Sequence, residues 1–281
     1  MTEQWIKEKE QELGMEFNET EWEFLLSSNE RWVCEAGEYN KKTIRDIVRQ
    51  IKFTELKDGY WIYLSNKHWD GITDEIRREK WNELKDEECI CFAGVEWSGI
   101  TDEMRVKKWY ELKDEQYIVN AGSHWSGITD EMRKKRWHEL KDEKWIYWAG
   151  RDWDGITDEM RIKKFQELKD LRYTLEASIR WKRIDTENIF KKILVAEVNQ
   201  DNLRDFNINK NNIAIIVNSF SKTKDQVLER LLNGEISHEL FIKNYPVIRE
   251  KVLSKSGLTD KDLSEFDYFY QNLSLSYGLL K

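Results

Sequence analysis

The sequence predicts a mainly α-helical fold, a solenoid of about five to six short αα repeats of 28 residues followed by a helical C-terminal domain. Three observations carry this reading. Trp69, Trp97, Trp125, Trp153 and Trp181 lie 28 residues apart. The text between them recurs almost unchanged, as WDGITDEIRREKWNELKDE, WSGITDEMRVKKWYELKDE, WSGITDEMRKKRWHELKDE and WDGITDEMRIKKFQELKDL. One Pro and 13 Gly in 281 residues, with abundant Glu, Lys, Leu and Arg, favour helix over turn-rich β structure. Units of this length cannot bury their apolar faces alone and must stack on one another.

Residues 1–37 read as an N-terminal capping segment with a degenerate copy, because ERWVCEAG at 30–37 echoes ECICFAG at 88–94, shifted by one residue. The tandem repeats occupy 38–184, and Phe53 and Leu56 of IRDIVRQIKFTELKD already keep their register. Within a repeat, Gly99 and Ile100 form a turn and Thr101 can cap the helix that follows. Asp102 and Glu103 then sit in the first turn, where the macrodipole favours negative charge. This helix should run from Thr101 to about Lys113. Asp114 caps a second, shorter element, EQYIVNAG, with Gly122 as its C-terminal stop. Helix is the expected form of that second element. A strand, and with it an α/β solenoid, is the alternative, because YWIYL, CICF and WIYW are aromatic and β-branched. The period is shorter than that of tetratricopeptide, ankyrin or HEAT units, whose consensus patterns do not fit.

Comparing copies within the chain separates two faces of the capped helix. At about 100° per residue, Arg77, Lys80, Trp81 and Leu84 share one arc and barely change between copies. That arc is expected to be packed. The column Arg78, Val106, Lys134, Ile162 and the column Asn82, Tyr110, His138, Gln166 vary and are expected to face solvent or a partner. In the second element the most divergent column is Leu64, Phe92, Asn120, Trp148, Glu176. A packed site would not accept Trp, Asn and Glu equally, so this column too is expected at the surface. The partner-binding candidates are therefore Phe92, Asn120 and Trp148, then Tyr110 and His138. Arg105 and Arg133 join them as a row of guanidinium groups that could meet a phosphate or carboxylate. An ion pair with the Asp three residues earlier is their structural alternative.

Other columns suggest packing. The Trp97 column should lock the turn between repeats, so Trp97, Trp109, Trp125 and Trp137 are expected in the core. His68, Glu96, His124 and Asp152 share a column of metal-ligand types. Helices packed about 8–10 Å apart cannot bring such a column to one ion, so no metal is expected. Cys89 and Cys91 form a lone CxC, read as packing, and three Cys are too few for a disulfide framework. No phosphate-binding, zinc-protease or nucleophile-elbow motif occurs, so no catalytic residue and no cofactor is expected.

A net charge of −8 makes the chain a poor non-specific ligand for nucleic acid. The start, MTEQWIKEKEQEL, lacks an apolar core of signal-peptide length, which suggests a cytoplasmic protein with no membrane association. After Trp181 the repeat decays, and 185–281 form the C-terminal domain, with TENIFKKILVAEV, DQVLERLLNG and EISHELFIKNY as short amphipathic helices. NNIAIIVNSFSKTKDQVLERLLNGEIS faintly resembles a helix-turn-helix, but the spacing fits poorly and there is no basic surplus, so a helical cap or interaction domain is expected. The functional expectation is a non-enzymatic repeat protein, adaptor or inhibitor, whose partner is a protein. The alternatives are a nucleic-acid or nucleotide binder using the Arg and Lys rows, and an enzyme with its chemistry in residues 185–281.

Overall fold

The computed structural model describes residues 2–181, 184, 188–198 and 210–279. Among these the regular structure is helical, apart from one isolated bridge between Asp170 and Glu197. The second element of each repeat is a helix, and the α/β alternative fails. The chain forms two compact units, Met1–Thr129 and Asp130–Lys281. No helix among the described residues is long and apolar enough to cross a membrane.

The first unit contains α1 (Glu3–Leu13), α2 (Glu19–Leu26), α3 (Glu30–Tyr39), α4 (Asp46–Glu55), α5 (Gly59–His68), α6 (Asp74–Glu83), α7 (Glu87–Glu96), α8 (Asp102–Glu111) and α9 (Glu115–His124). The second contains α10 (Asp130–Glu139), α11 (Glu143–Asp152), α12 (Asp158–Glu167) and α13 (Leu171–Arg180), then α14 (Ile189–Val195), α15 (Lys210–Leu232), α16 (His238–Ile248) and α17 (Asp260–Ser276). In the first unit, α5 packs between α3 and α7, and α7 packs on α9. The capped helices form the other row, α4 touching both α2 and α6.

Caps set both helices of a repeat. Thr101 Oγ1 accepts from Met104 N at 3.4 Å, and Asp86 Oδ1 accepts from Cys89 N at 2.9 Å. The capped helix stops earlier than Lys113, at Glu111, because Leu112 turns extended (φ −62°, ψ 137°) to drive its side chain inward. Both helices are thus ten residues long, and the second is not the shorter one. A glutamate ties successive repeats, with Glu87 accepting from Lys113 N at 3.0 Å and Asp114 N at 2.9 Å.

The tryptophans are core, as expected: Trp97, Trp109, Trp125 and Trp137 are at most 3% exposed. The column that begins at Trp69 ends the second helix of each repeat and reaches back one repeat. Trp125 Nε1 donates to Cys91 O at 3.1 Å, and Trp181 Nε1 to Tyr147 O at 3.2 Å. The glycine of the Ala-Gly pair does not stop the helix. Gly94 lies inside α7, where a Cβ would come within 2.3 Å of Trp125 Cε2. Gly94→Ala should therefore cost about 1–3 kcal/mol by overpacking, visible as a lower urea midpoint. An unchanged midpoint would mean that the indole moves aside freely. The copy at α5 has Asn66 in place of the glycine, and there Trp97 Nε1 is buried without a hydrogen-bond partner among the described residues.

A lysine ladder accompanies the tryptophans. Lys52, Lys80, Lys108 and Lys164 are buried on the packed arc. Lys80 donates to Leu56 O at 2.9 Å, Lys108 to Leu84 O at 2.8 Å and Lys164 to Leu140 O at 2.9 Å. Each ammonium thus caps the carbonyl end of the preceding capped helix, where the dipole is negative. Lys192 continues the ladder on α14, donating to Leu168 O at 3.0 Å, and burial pushes its ammonium down to about 8. Ile193 and Ala196 follow in the Trp81 and Leu84 columns, so the repeat register runs on into α14.

The remaining C-terminal helices close on α14. Phe190, Phe220 and Phe266 meet edge to face, with Phe190 4.9 Å from Phe220 and 5.4 Å from Phe266. Asn244 Nδ2 donates to Ala196 O at 2.6 Å. The poor fit of the helix-turn-helix spacing has a structural reason, since 210–232 is one continuous helix with Ile216, Phe220, Val227 and Leu231 along its buried stripe. Part of TENIFKKILVAEV, residues 186–187, lies outside the described residues.

Candidate functional site: the outer face of the second helices

The divergent column emerges at the surface, and none of its members is buried. Phe92 on α7 is 46% exposed, while Leu64 on α5, Asn120 on α9, Trp148 on α11 and Glu176 on α13 are half-buried. Tyr110 and His138 are exposed as well, but they lie on the capped helices α8 and α10 and not on the second helices.

The arginine row is built into the scaffold. Arg105 Nε donates to Gly94 O at 2.8 Å, and its Nη1 pairs with Asp102 at 3.0 Å and with Ser126 Oγ at 3.1 Å. Ser126 Oγ in turn donates to Asp102 Oδ1 at 2.7 Å. That aspartate sits against Gly127, whose φ of +84° only glycine adopts without strain. Arg133 pairs likewise with Asp130 at 2.8 Å. Arg77 makes the same contacts, with Asn66 Oδ1 standing in for the glycine carbonyl at 2.7 Å. These guanidinium groups hold a turn to two helices, which is the structural alternative weighed for them.

Around Phe92 the fold brings together residues that the sequence reading had not joined. Tyr60 and Tyr63 on α5 face Phe92 on α7, with the Tyr63 and Phe92 rings 5.9 Å apart. Between them opens a groove of about 380 Å³, rimmed by Asp58, Asp86 and Glu88. Tyr60 is 55% exposed at its mouth. Asp58 and Asp86 are here because each caps a second helix with one carboxylate oxygen, which fixes both charges at the helix N-termini. Tyr63 is held from its far end, its hydroxyl donating to Glu96 at 2.8 Å, and burial together with that bond pushes its pKa up to about 12. The Cys89 thiol is also pushed up to about 12, first by burial, then by its hydrogen bond to Asp86 and the charges of Asp86, Glu88 and Asp58. Three carboxylates thus border the groove, and Cys89 is an inert wall there, as expected of a packing residue.

The equivalent surface of the second unit, between α11 and α13, carries an aromatic pair of its own among cationic neighbours. The Tyr147 and Tyr173 rings are 6.2 Å apart. The Arg151 guanidinium covers the Trp148 ring at 3.8 Å, and Lys144 lies over Trp145 at 4.3 Å. In the register that sets Tyr147 on Tyr63, Lys144 corresponds to Tyr60, Arg151 to Lys67, Arg172 to Glu88 and Glu176 to Phe92.

A wider cavity of about 570 Å³ beside α16 is bordered by Tyr245, Arg249 and Asp267. Its polar groups satisfy one another: Tyr245 donates to Asp267 at 2.9 Å, and Arg249 pairs with Asp267 and Asp260, each at 2.7 Å. This cluster pins the π-helical turn Arg249–Leu253, which follows Pro246, onto α17. Among the described residues no group of three or more His, Cys, Asp and Glu is arranged to hold a metal ion. His68 of the column of metal-ligand types lies 3.4 Å from Glu38.

The signal for the groove was present in the sequence as further divergent columns. Position 60 recurs as Glu88, Gln116, Lys144 and Arg172, and position 63 as Cys91, Val119, Tyr147 and Leu175. Reading one column at a time hid their convergence. No family model, curated protein or solved structure matches the chain.

Proposed function

We propose that this chain is a non-catalytic binding protein, an adaptor or inhibitor, whose partner is a protein engaged through the outer face of the second helices. One observation carries the reading. The repeats are nearly identical in everything that builds the scaffold, yet Tyr60 and Phe92 stand exposed on neighbouring second helices, in columns that differ from copy to copy. Exposed aromatics on a rigid frame are the usual anchors of protein interfaces. The arginine row, which a nucleic-acid reading would require, is occupied with its own aspartates and carbonyls.

Affinity capture from the source cells tests this, comparing the native chain with the triple variant Phe92→Ala, Asn120→Ala, Trp148→Ala. At least one protein should be captured by the native chain and lost, by about tenfold or more, from the variant, a difference of roughly 1.4 kcal/mol. The circular dichroism melt of the variant should stay close to native, because the three side chains lie outside the core. Identical captured sets from both chains would remove this face from the function.

A further inference from the structure

We propose that the groove between α5 and α7 takes the basic side chain, lysine or arginine, of a peptide segment, its charge among Asp58, Asp86 and Glu88 and its alkyl stem against Tyr60 and Phe92. This deepens the protein-binding reading and rests on it.

The internal repeats supply the argument. The chain places an aromatic pair between neighbouring second helices in each unit. In the second unit the aromatic surface is covered by the chain's own cations, with the Arg151 guanidinium 3.8 Å over Trp148 and the Lys144 ammonium 4.3 Å over Trp145. With Tyr147 set on Tyr63, two of the second unit's cation positions are replaced beside the groove, Lys144 becoming Tyr60 and Arg172 becoming Glu88, while Arg151 becomes Lys67, which lies 5.7 Å over the Tyr63 ring and pairs with Glu96 at 3.7 Å. An aromatic pair is present in both, Tyr63 and Phe92 5.9 Å apart against 6.2 Å for Tyr147 and Tyr173, with Phe92 standing where the second unit has Glu176. Tyr60 and Phe92 have no cation over them among the described residues, and Asp58, Asp86 and Glu88 enter no ion pair there. The first unit thus leaves Tyr60 and Phe92 without a cation of the chain's own, and sets the Glu88 carboxylate where the second unit has the Arg172 guanidinium, beside the capping carboxylates Asp58 and Asp86 that recur in the second unit as Asp142 and Asp170.

Size and electrostatics fit one basic side chain. A cavity of about 380 Å³ holds an extended lysine or arginine with part of its backbone. A cation against an aromatic face gains about 0.5–1 kcal/mol when exposed and about 2 when desolvated. The surrounding carboxylates strengthen that attraction, and they disfavour an acidic or phosphorylated segment.

The test is an amide-detected NMR titration of the full chain with Nα-acetyl-lysinamide, Nα-acetyl-argininamide and the neutral isostere Nα-acetyl-norleucinamide. The two basic probes should give saturable shifts centred on Gly59 and on residues 86–92, and norleucinamide should bind at least about tenfold more weakly, a gap of roughly 1.4 kcal/mol. The variant Asp58→Asn, Asp86→Asn, Glu88→Gln removes the charge while Asn keeps the caps, so it should stay folded and lose the preference for basic probes. Added salt should weaken the basic probes and leave norleucinamide unaffected. Equal binding of lysinamide and norleucinamide would overturn the proposal, and so would basic-probe shifts that survive in the neutralised variant. The titration needs no partner. Loss of the probe effect with capture still dependent on Phe92, Asn120 and Trp148 sinks the basic-segment assignment alone. Intact probe binding with capture indifferent to those residues sinks the partner reading.

Discussion

Trp125→Ala should lower the stability of the first unit by about 3–5 kcal/mol, the range for removing a large aromatic from a packed core. Trp125 is 3% exposed, packs its ring 5.7 Å from that of Trp81, and donates through Nε1 to Cys91 O at 3.1 Å. Truncation therefore does three things at once. It opens a cavity against Gly94, whose missing Cβ exists to admit the indole. It strips the ring contact from Trp81. It leaves the Cys91 carbonyl without its indole donor. Urea denaturation followed by circular dichroism measures the loss directly. Trp125→Phe keeps part of the volume and loses the hydrogen bond, so it should fall between native and Ala. A midpoint for Trp125→Ala equal to native would mean that the tryptophan column does not hold the repeats together.

Removing residues 97–124 should leave a folded helical protein of lower stability, whereas removing 97–110 should abolish cooperative folding. The first deletion takes out one turn, α8 and α9. It joins Glu96 to Trp125, and the incoming WSGIT of 125–129 is identical to the outgoing WSGIT of 97–101. Gly127 can then sit against Asp74 as Gly99 does, and the lysine and tryptophan ladders lose one rung without losing register. The second deletion removes the turn and all but the last residue of α8. It joins the end of α7 to Glu111 and leaves α9 with no capped helix to pack against. In an array where units contact mainly neighbours, stability is approximately a sum of unit and interface terms, so whole units can be lost and half units cannot. Melting curves and size-exclusion profiles of the two deletions decide between this picture and a closed globule. Failure of the 28-residue deletion, alone or together with the other, would discard the modular array.

Much of the scaffold was legible from the sequence because the chain repeats its own solution. Thr73, Thr101 and Thr157 all cap, and Asp58, Asp86, Asp114, Asp142 and Asp170 all cap the helices that follow. Capping depends on a few neighbouring residues, so a motif seen in every copy states it plainly. The buried lysines were harder. Lys80 stood on the invariant arc, but a lysine on a packed face only makes sense once Leu56 O is known to lie 2.9 Å from its ammonium. Gly94 was misread as a stop signal for the same reason. Its purpose is the approach of an indole from the next repeat, 31 positions along the chain.

Helix in place of strand for the second element was decided by the structure, while by itself the sequence determined the period, the helix starts, the capped first helix of each unit and which tryptophans are core. All of these follow from local chemistry or from comparing copies. Tertiary structure decided what depends on distance between copies: that the arginine row is spent on Asp102-type turns, and that Lys192 extends the register into α14. It also decided that Tyr60, Tyr63 and Phe92 converge with Asp58, Asp86 and Glu88 in one groove. The physical reason is that a column of the repeat records which residues occupy equivalent places. A site forms across columns, from side chains of two stacked helices, and only the packing of α5 on α7 sets which of them meet.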